Sequence, residues 1–158
     1  LYLYFKNKDE MLFKIIEDVG ADLLKELQLV FIITPQITGC LQAMILRQIC
    51  FSQAAYKKMK IYLEEQFQLS PHLRKKAYEQ HQQIYNLYYS KICELEENGF
   101  LNKKADTVVI TFAIFAMMNW VYRWFDPGGR LSIEDVAEHI KNMFFRSILE
   151  NGVVRGEG

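Results

Sequence analysis

Apolar side chains recur every three or four positions along most of this chain, which is the spacing of an amphipathic helix. One such series runs from position 71 to 98, and its members are Leu73, Ala77, His81, Ile84, Tyr88, Ile92 and Leu95. A second series follows Ser132 and contains Ile133, Val136, Ile140 and Met143. No sustained alternation of period two and no internal repeat is found. The pattern therefore predicts an all-α fold.

Residues that favour helix ends divide the pattern into six helices. Pro35 and Pro71 each follow a hydroxyl residue, and proline is tolerated in the first helical turn because its missing N–H has no partner there. Ser132 and Asp135 have the spacing of a capping box, and Gly99 is placed as a left-handed C-cap. The predicted helices lie near 8–31, 35–52, 54–68, 71–98, 103–125 and 132–150.

Composition limits the function classes. A chain of 158 residues is long enough for one domain with a full core, and 51% of its residues are apolar and 14% aromatic. We expect the surplus apolar surface to meet a ligand or a partner. The formal net charge is zero, so a broad electrostatic attraction to nucleic acid is excluded and any DNA affinity must be local.

The three cysteines, Cys40, Cys50 and Cys93, are widely spaced and form no C-x-x-C pair. This usage favours reduced thiols and a cytoplasmic location. The apolar stretch Val108–Val121 is short for a membrane span and leads into Arg123. We therefore expect a buried helix there, and no membrane partner.

Two stretches carry a resemblance to a known family. The opening LYLYFKNKDEML resembles the end of the helix-turn-helix of TetR-family transcriptional regulators, where the recognition helix closes and a long connecting helix begins. The stretch NWVYRWF at 119–125, with the Pro-Gly-Gly turn at 127–129, resembles the penultimate helix of many TetR C-terminal domains. It is most similar to a subgroup that includes regulators responding to fatty acyl-CoA. The resemblance implies a TetR-like C-terminal bundle of about six helices, which dimerises through a four-helix bundle of the last two helices.

The resemblance also implies a domain organisation. Residues 1–8 would be the remnant of a DNA-binding domain, 9–151 the ligand-binding and dimerisation domain, and 152–158 a flexible tail. The operator DNA partner would then need N-terminal helices that this chain lacks. The residues that would contact the DNA backbone are Tyr2, Tyr4, Lys6 and Lys8, because phenol hydroxyls and ammonium groups bind phosphates. Without the resemblance, the aromatic residues would be interpreted as core and the lysines as a solvated face.

The helix predicted near 103–125 is apolar on more than one side, so it should be buried against two different surfaces. TetR-like architecture offers a second subunit and a ligand cavity, whereas the alternative is that both sides belong to a single-chain core. For the homodimer interface we predict Ala113, Ala116, Met117, Trp120, Trp124, Ile140 and Phe144.

A cavity for a hydrophobic small-molecule effector would be lined by flexible and aromatic side chains. The predicted ligand-binding residues are Met44, Phe51, Tyr62, Tyr85, Tyr89, Phe112, Phe115, Asn119 and Arg123. Asn119 either forms a hydrogen bond within the core or orients a ligand carbonyl or amide. Arg123 either pairs with an anionic group or extends its charge to solvent. For the phosphates of an acyl-CoA, two basic clusters are candidates, namely Lys57, Lys58 and Lys60, or Arg74, Lys75 and Lys76.

Catalytic motifs are absent from the sequence, with no Gly-rich phosphate loop, no G-x-S-x-G and no H-E-x-x-H. We interpret His81, on its apolar stripe, as a core histidine with a hydrogen-bond partner. We expect no enzyme, no cofactor and no metal site. Two hypotheses remain open. The first is a ligand-responsive dimeric regulator, most simply a repressor, and the second is a helical lipid-binding or protein-interaction module unrelated to DNA.

Overall fold

A computed structural model describes residues 5–150, and it contains six α-helices and one short 3₁₀ helix. The α-helices are α1 (Lys8–Ile33), α2 (Ile37–Ala54), α3 (Tyr56–Glu64), α4 (Pro71–Glu97), α5 (Thr107–Trp124) and α6 (Ile133–Ile148), and the 3₁₀ helix is Gln66–Gln68. No strand occurs within this range; the only β-type pairing in it is an isolated antiparallel bridge between Leu101 and Leu149. The all-α prediction is confirmed.

Local capping chemistry sets several helix ends where the sequence predicted them. Ser132 caps α6 in a capping box with Asp135, in which each side chain binds the other residue's backbone N–H. Gly99 has a φ of 71°, which is the left-handed conformation expected of a residue just beyond the C-terminus of α4. Pro71 occupies the first turn of α4.

Two helices differ from their predicted bounds by more than two residues at one end. α5 begins at Thr107 rather than near 103, because the side chain of Asp106 accepts a hydrogen bond from the backbone N–H of Val109 and caps the helix there. The helix predicted over 54–68 is divided, since α3 ends at Glu64 and the chain continues as the 3₁₀ helix.

The core is formed where α1, α2, α4, α5 and α6 meet. α1 packs along α4, and α2 contacts α1, α4, α5 and α6, so it is the central helix of the bundle. The largest side chains completely removed from solvent include Tyr88, Leu27, Leu41, Met44 and Ile92. This arrangement fixes α3, α4 and α5 around one end of the core.

The predicted DNA-contacting residues Tyr2 and Tyr4, and the predicted tail at 152–158, lie outside the described residues. Lys6 and Lys8 lie within them, at the start of α1, and both are exposed.

Candidate ligand-binding site and dimerisation surface

A cavity of about 450 Å³ opens between α3, α4 and α5, with single contributions from α1 and α2. Its size lies within the range of pockets that hold small molecules. The lining residues are mostly aromatic and aliphatic: Leu23, Gln48, Met59, Tyr62, Leu63, Gln66, Tyr78, His81, Gln82, Ile84, Tyr85, Phe112, Phe115 and Asn119.

Five of the predicted ligand-binding residues line this cavity, namely Tyr62, Tyr85, Phe112, Phe115 and Asn119. The Tyr85 ring lies 5.2 Å from the Phe112 ring and 6.2 Å from the Phe115 ring, measured between centroids. Aromatic rings at such separations attract one another and form a continuous flat wall.

The remaining predicted ligand-binding residues, Met44, Phe51, Tyr89 and Arg123, are not part of the lining. Met44 is completely buried in the core, and Phe51 packs against that core from a half-buried position. Tyr89 stacks on the ring of Tyr85, with 5.6 Å between ring centroids, so it contacts a cavity residue without lining the cavity.

A chain of hydrogen bonds runs from the core to the cavity wall. The Tyr88 hydroxyl lies 2.9 Å from Gln48 Oε1 and 3.1 Å from the Met44 carbonyl oxygen. Both atoms are acceptors, and the single hydroxyl proton is donated to one of them at a time. Gln48 Nε2 donates to Asn119 Oδ1 across 3.3 Å. Burial raises the pKa of Tyr88 well above its usual value, so the hydroxyl keeps its proton and remains a donor.

Sequence analysis missed Gln48, which is only 2% exposed. One feature of the sequence could have identified it, because Gln48 is a polar residue within the apolar stripe of α2 that contains Met44, Ile45 and Ile49. Such a residue requires a partner, but the partner lies 40 positions away in the sequence.

The polar groups that line the cavity are amides, phenols and one imidazole; the described lining includes no Lys, Arg, Asp or Glu. The nearby Arg123 is paired within the chain, because its Nη2 lies 2.9 Å from Glu64 Oε1. Tyr122 donates to the same carboxylate oxygen across 2.6 Å. That hydrogen bond, together with the charges of Arg123 and Lys60, lowers the pKa of Glu64. Arg123 therefore already has an anionic partner.

His81 lines the cavity, but its Nε2 is sealed from solvent and has no hydrogen-bond partner in the described part of the chain. Its ring contacts the Tyr62 ring edge-on, with 4.5 Å between centroids. Burial lowers the pKa of His81, so the imidazole is neutral at neutral pH. The expectation of a core histidine with a hydrogen-bond partner is thus wrong for Nε2.

A second side of α5, adjacent to the side that lines the cavity, is an exposed apolar face. Val109 is 65% exposed, Trp120 57% and Trp124 53%, and Ala113 and Ala116 lie between them on the same side. α5 is also the one helix in the described range that is long and apolar enough to cross a membrane by length and composition, a test that a core helix passes as well. A row of large exposed apolar side chains is a candidate interaction surface.

Two residues predicted for the dimer interface, Ile140 and Phe144, lie instead in the core of the chain, 7% and 2% exposed. The reason is that α6 has one apolar stripe and packs it against α2. Met143, 59% exposed, is the large apolar side chain that α6 leaves on the surface. Met117 is half-buried at the edge of the α5 face.

The candidate phosphate-binding clusters differ in availability. Lys57, Lys58 and Lys60 are exposed on α3, beside the cavity residues Met59 and Tyr62. In the second cluster, Arg74 donates to the carbonyl oxygens of Phe67 and Leu69, which stabilises the loop before α4. Among residues 5–150, no group of His, Cys, Asp and Glu side chains is arranged to hold a metal ion.

The described residues thus form a helical bundle with an apolar cavity and an exposed apolar helix face. The chain belongs to the TetR family of transcriptional regulators, because the model of the tetracyclin repressor-like C-terminal domain matches residues 38–148. No curated protein sequence matches the chain.

Solved structures of TetR-family regulators share this fold. PfmR from Thermus thermophilus superposes with a TM-score of 0.82 at 21% identity, covering 92% of this chain and 79% of its own. The ketosteroid regulator KstR2 of Mycobacterium tuberculosis gives a TM-score of 0.86 at 18% identity, covering 95% and 77%. AibR in complex with isovaleryl coenzyme A and operator DNA gives 0.84 at 24% identity, covering 92% and 79%.

Proposed function

We propose that this chain is the sensing and dimerisation part of a cytoplasmic transcriptional repressor that releases operator DNA when a hydrophobic effector enters the cavity. The observation that carries the proposal is that α5 lines the cavity of about 450 Å³ with one side and carries an exposed apolar face on an adjacent side. A monomeric carrier protein would need the cavity but would gain nothing from the exposed face.

A second copy of the chain is the partner that best fits the α5 face. In a symmetric dimer the same patch serves both subunits, so one row of apolar residues is sufficient to form the interface. Ala113 and Ala116 allow two helices to approach closely, and Trp120 and Trp124 supply large apolar area at the centre. The exposed Met143 extends the surface onto α6.

A fatty acyl-CoA is the effector class that we propose. The apolar lining suits an acyl chain. The lysines of α3 lie beside the cavity residues and could bind phosphates that remain outside. The fold neighbour AibR, whose structure holds isovaleryl coenzyme A together with operator DNA, is consistent with this choice.

The described contacts also provide a route from the cavity to α1. Gln80 Nε2 donates to the Glu17 carbonyl oxygen of α1 across 2.9 Å, and the next residue on α4, His81, lines the cavity. A ligand that displaces this part of α4 would therefore move α1, whose first residue, Lys8, is the last of the proposed DNA-contacting residues. A coupling free energy of about 1–3 kcal/mol between ligand and DNA is typical of such regulators.

The test is fluorescence anisotropy of the gene product that contains this chain, bound to labelled promoter DNA of its own gene. We expect acyl-CoA thioesters to release the DNA, and the corresponding free fatty acids to have no effect at equal concentration. Release by free acids alone would contradict the acyl-CoA assignment. If no acyl compound changes DNA binding, the assignment of an acyl effector fails altogether.

A further inference from the structure

The orientation of one amide in the cavity wall points to the chemistry of the ligand. Asn119 lines the cavity from α5, and its Oδ1 already accepts a hydrogen bond from Gln48 Nε2 across 3.3 Å. Gln48 is oriented in turn by Tyr88, whose hydroxyl lies 2.9 Å from Gln48 Oε1. In the arrangement that the structure shows, the phenol proton is directed to Gln48 Oε1, and Gln48 Nε2 then faces Asn119 Oδ1.

In this series of hydrogen bonds, the Asn119 amide nitrogen is the donor that remains without an acceptor. Asn119 Nδ2 makes no hydrogen bond to any residue in the range 5–150. An amide nitrogen has two N–H groups, and when the cavity is filled by an apolar ligand these groups lose water. An N–H without an acceptor is unfavourable in such a setting. A well-matched ligand therefore carries an acceptor oxygen that meets Asn119.

The charged groups near the cavity further restrict the chemical group to which the ligand oxygen can belong. No Lys or Arg belongs to the described lining, and the nearby Arg123 is paired with Glu64. His81 is neutral because burial lowers its pKa. A carboxylate in this cavity would lose its hydration without gaining a counter-charge, which is strongly unfavourable.

We propose that the cavity selects an uncharged, mostly apolar ligand with a carbonyl oxygen, such as a ketone or thioester, that accepts a hydrogen bond from Asn119 Nδ2. The inference rests on the proposed function in taking the cavity as the effector site. Asn119 is the ligand-contacting residue, and Gln48 and Tyr88 are positioning residues that fix the direction of its amide.

The test uses three compounds of similar size, namely benzophenone, diphenylmethane and diphenylacetate, titrated into the chain by isothermal calorimetry. Benzophenone has a neutral acceptor oxygen, diphenylmethane has no acceptor, and diphenylacetate carries a negative charge. We expect benzophenone to bind about tenfold more tightly than diphenylmethane, which is the size of effect that one buried hydrogen bond provides. Diphenylacetate should bind most weakly.

The variant Asn119→Leu removes the donor while keeping a side chain that branches at Cγ. Benzophenone should then bind no more tightly than diphenylmethane, whose affinity should be unchanged. Asn119→Ala, which removes the whole amide, should lose the preference in the same way and provides a second test if the first variant does not fold. Gln82→Leu, which removes another amide of the lining, should keep the preference.

Equal affinity of the native chain for benzophenone and diphenylmethane would overturn the carbonyl inference and leave the effector cavity standing. Loss of the preference in Gln82→Leu but not in the Asn119 variants would overturn the assignment to Asn119. If none of the three compounds binds, this inference and the effector role of the cavity both fail.

Discussion

Gln48 and Asn119 join α2 to α5 through one hydrogen bond of 3.3 Å at the cavity wall. The bond connects the central helix of the bundle with the helix that carries both the cavity lining and the exposed apolar face. In the proposed function, sensing and subunit pairing therefore use two sides of the same helix, and Gln48 joins that helix to α2.

The Tyr88 hydroxyl should be worth a measurable part of the folding free energy. Tyr88→Phe removes the donor that Gln48 Oε1 meets in the core, and leaving a buried acceptor without a donor costs about 1–2 kcal/mol. We expect urea unfolding to show a loss of that size. Tyr78→Phe, at a position that is 64% exposed, is the control and should change stability little. An unchanged stability in Tyr88→Phe would contradict the proposed hydrogen-bond chain.

Glu64 should make stability depend on pH in the acid range. The hydrogen bond from Tyr122, with the charge of Arg123, lowers the pKa of Glu64 from its usual value of 4.5. The folded state therefore binds this proton less readily than the unfolded state. The stabilisation is fully present above the pKa that Glu64 has in the unfolded chain. It is lost as the pH falls through the pKa that Glu64 has in the folded chain.

The comparison that checks this is urea unfolding of the native chain and Glu64→Gln between pH 7 and about pH 3. The native chain should be more stable at pH 7, and its advantage should shrink as the pH falls. Glu97→Gln, an exposed carboxyl at the end of α4, should not reproduce this pattern. An advantage that is independent of pH would show that Glu64 does not contribute through its charge.

Gly20 and Gln80 should be energetically coupled. A Cβ added at Gly20 would collide with the amide of Gln80, which now donates to the Glu17 carbonyl oxygen. Alanine in a helix is more favourable than glycine by about 1 kcal/mol when there is room for the methyl group. Gly20→Ala should therefore stabilise the Gln80→Ala variant by about that amount, and the native chain by less. Equal effects in both backgrounds would mean that the close approach is not maintained in solution.

Sequence reasoning succeeded where the signal was local. The end of α4 at Gly99 and the start of α6 at Ser132 depend on residues within a few positions of one another. It failed where a side chain depends on a distant one. The stripe containing Ile140 and Phe144 predicts burial, but sequence cannot say whether the covering surface is α2 of the same chain or a second subunit. Gln48 was overlooked because its partners Tyr88 and Asn119 lie on other helices.

Trp120 and Trp124 should dominate the association of two chains. Replacing both with alanine removes large aromatic area from the centre of the proposed interface, and such residues often cost about 2 kcal/mol or more each when truncated, roughly a thirtyfold loss of affinity. We expect the double variant to dissociate at concentrations where the native chain remains paired. Phe67→Ala, which removes an aromatic side chain that is 71% exposed away from α5, should leave the association unchanged.

The most direct measurement is sedimentation equilibrium of the native chain at micromolar concentration. A mass of twice the 18.7 kDa of one chain is the result that the proposed pairing through α5 predicts. A mass of 18.7 kDa at every concentration would contradict it, because the exposed tryptophans would then have no second copy to cover them.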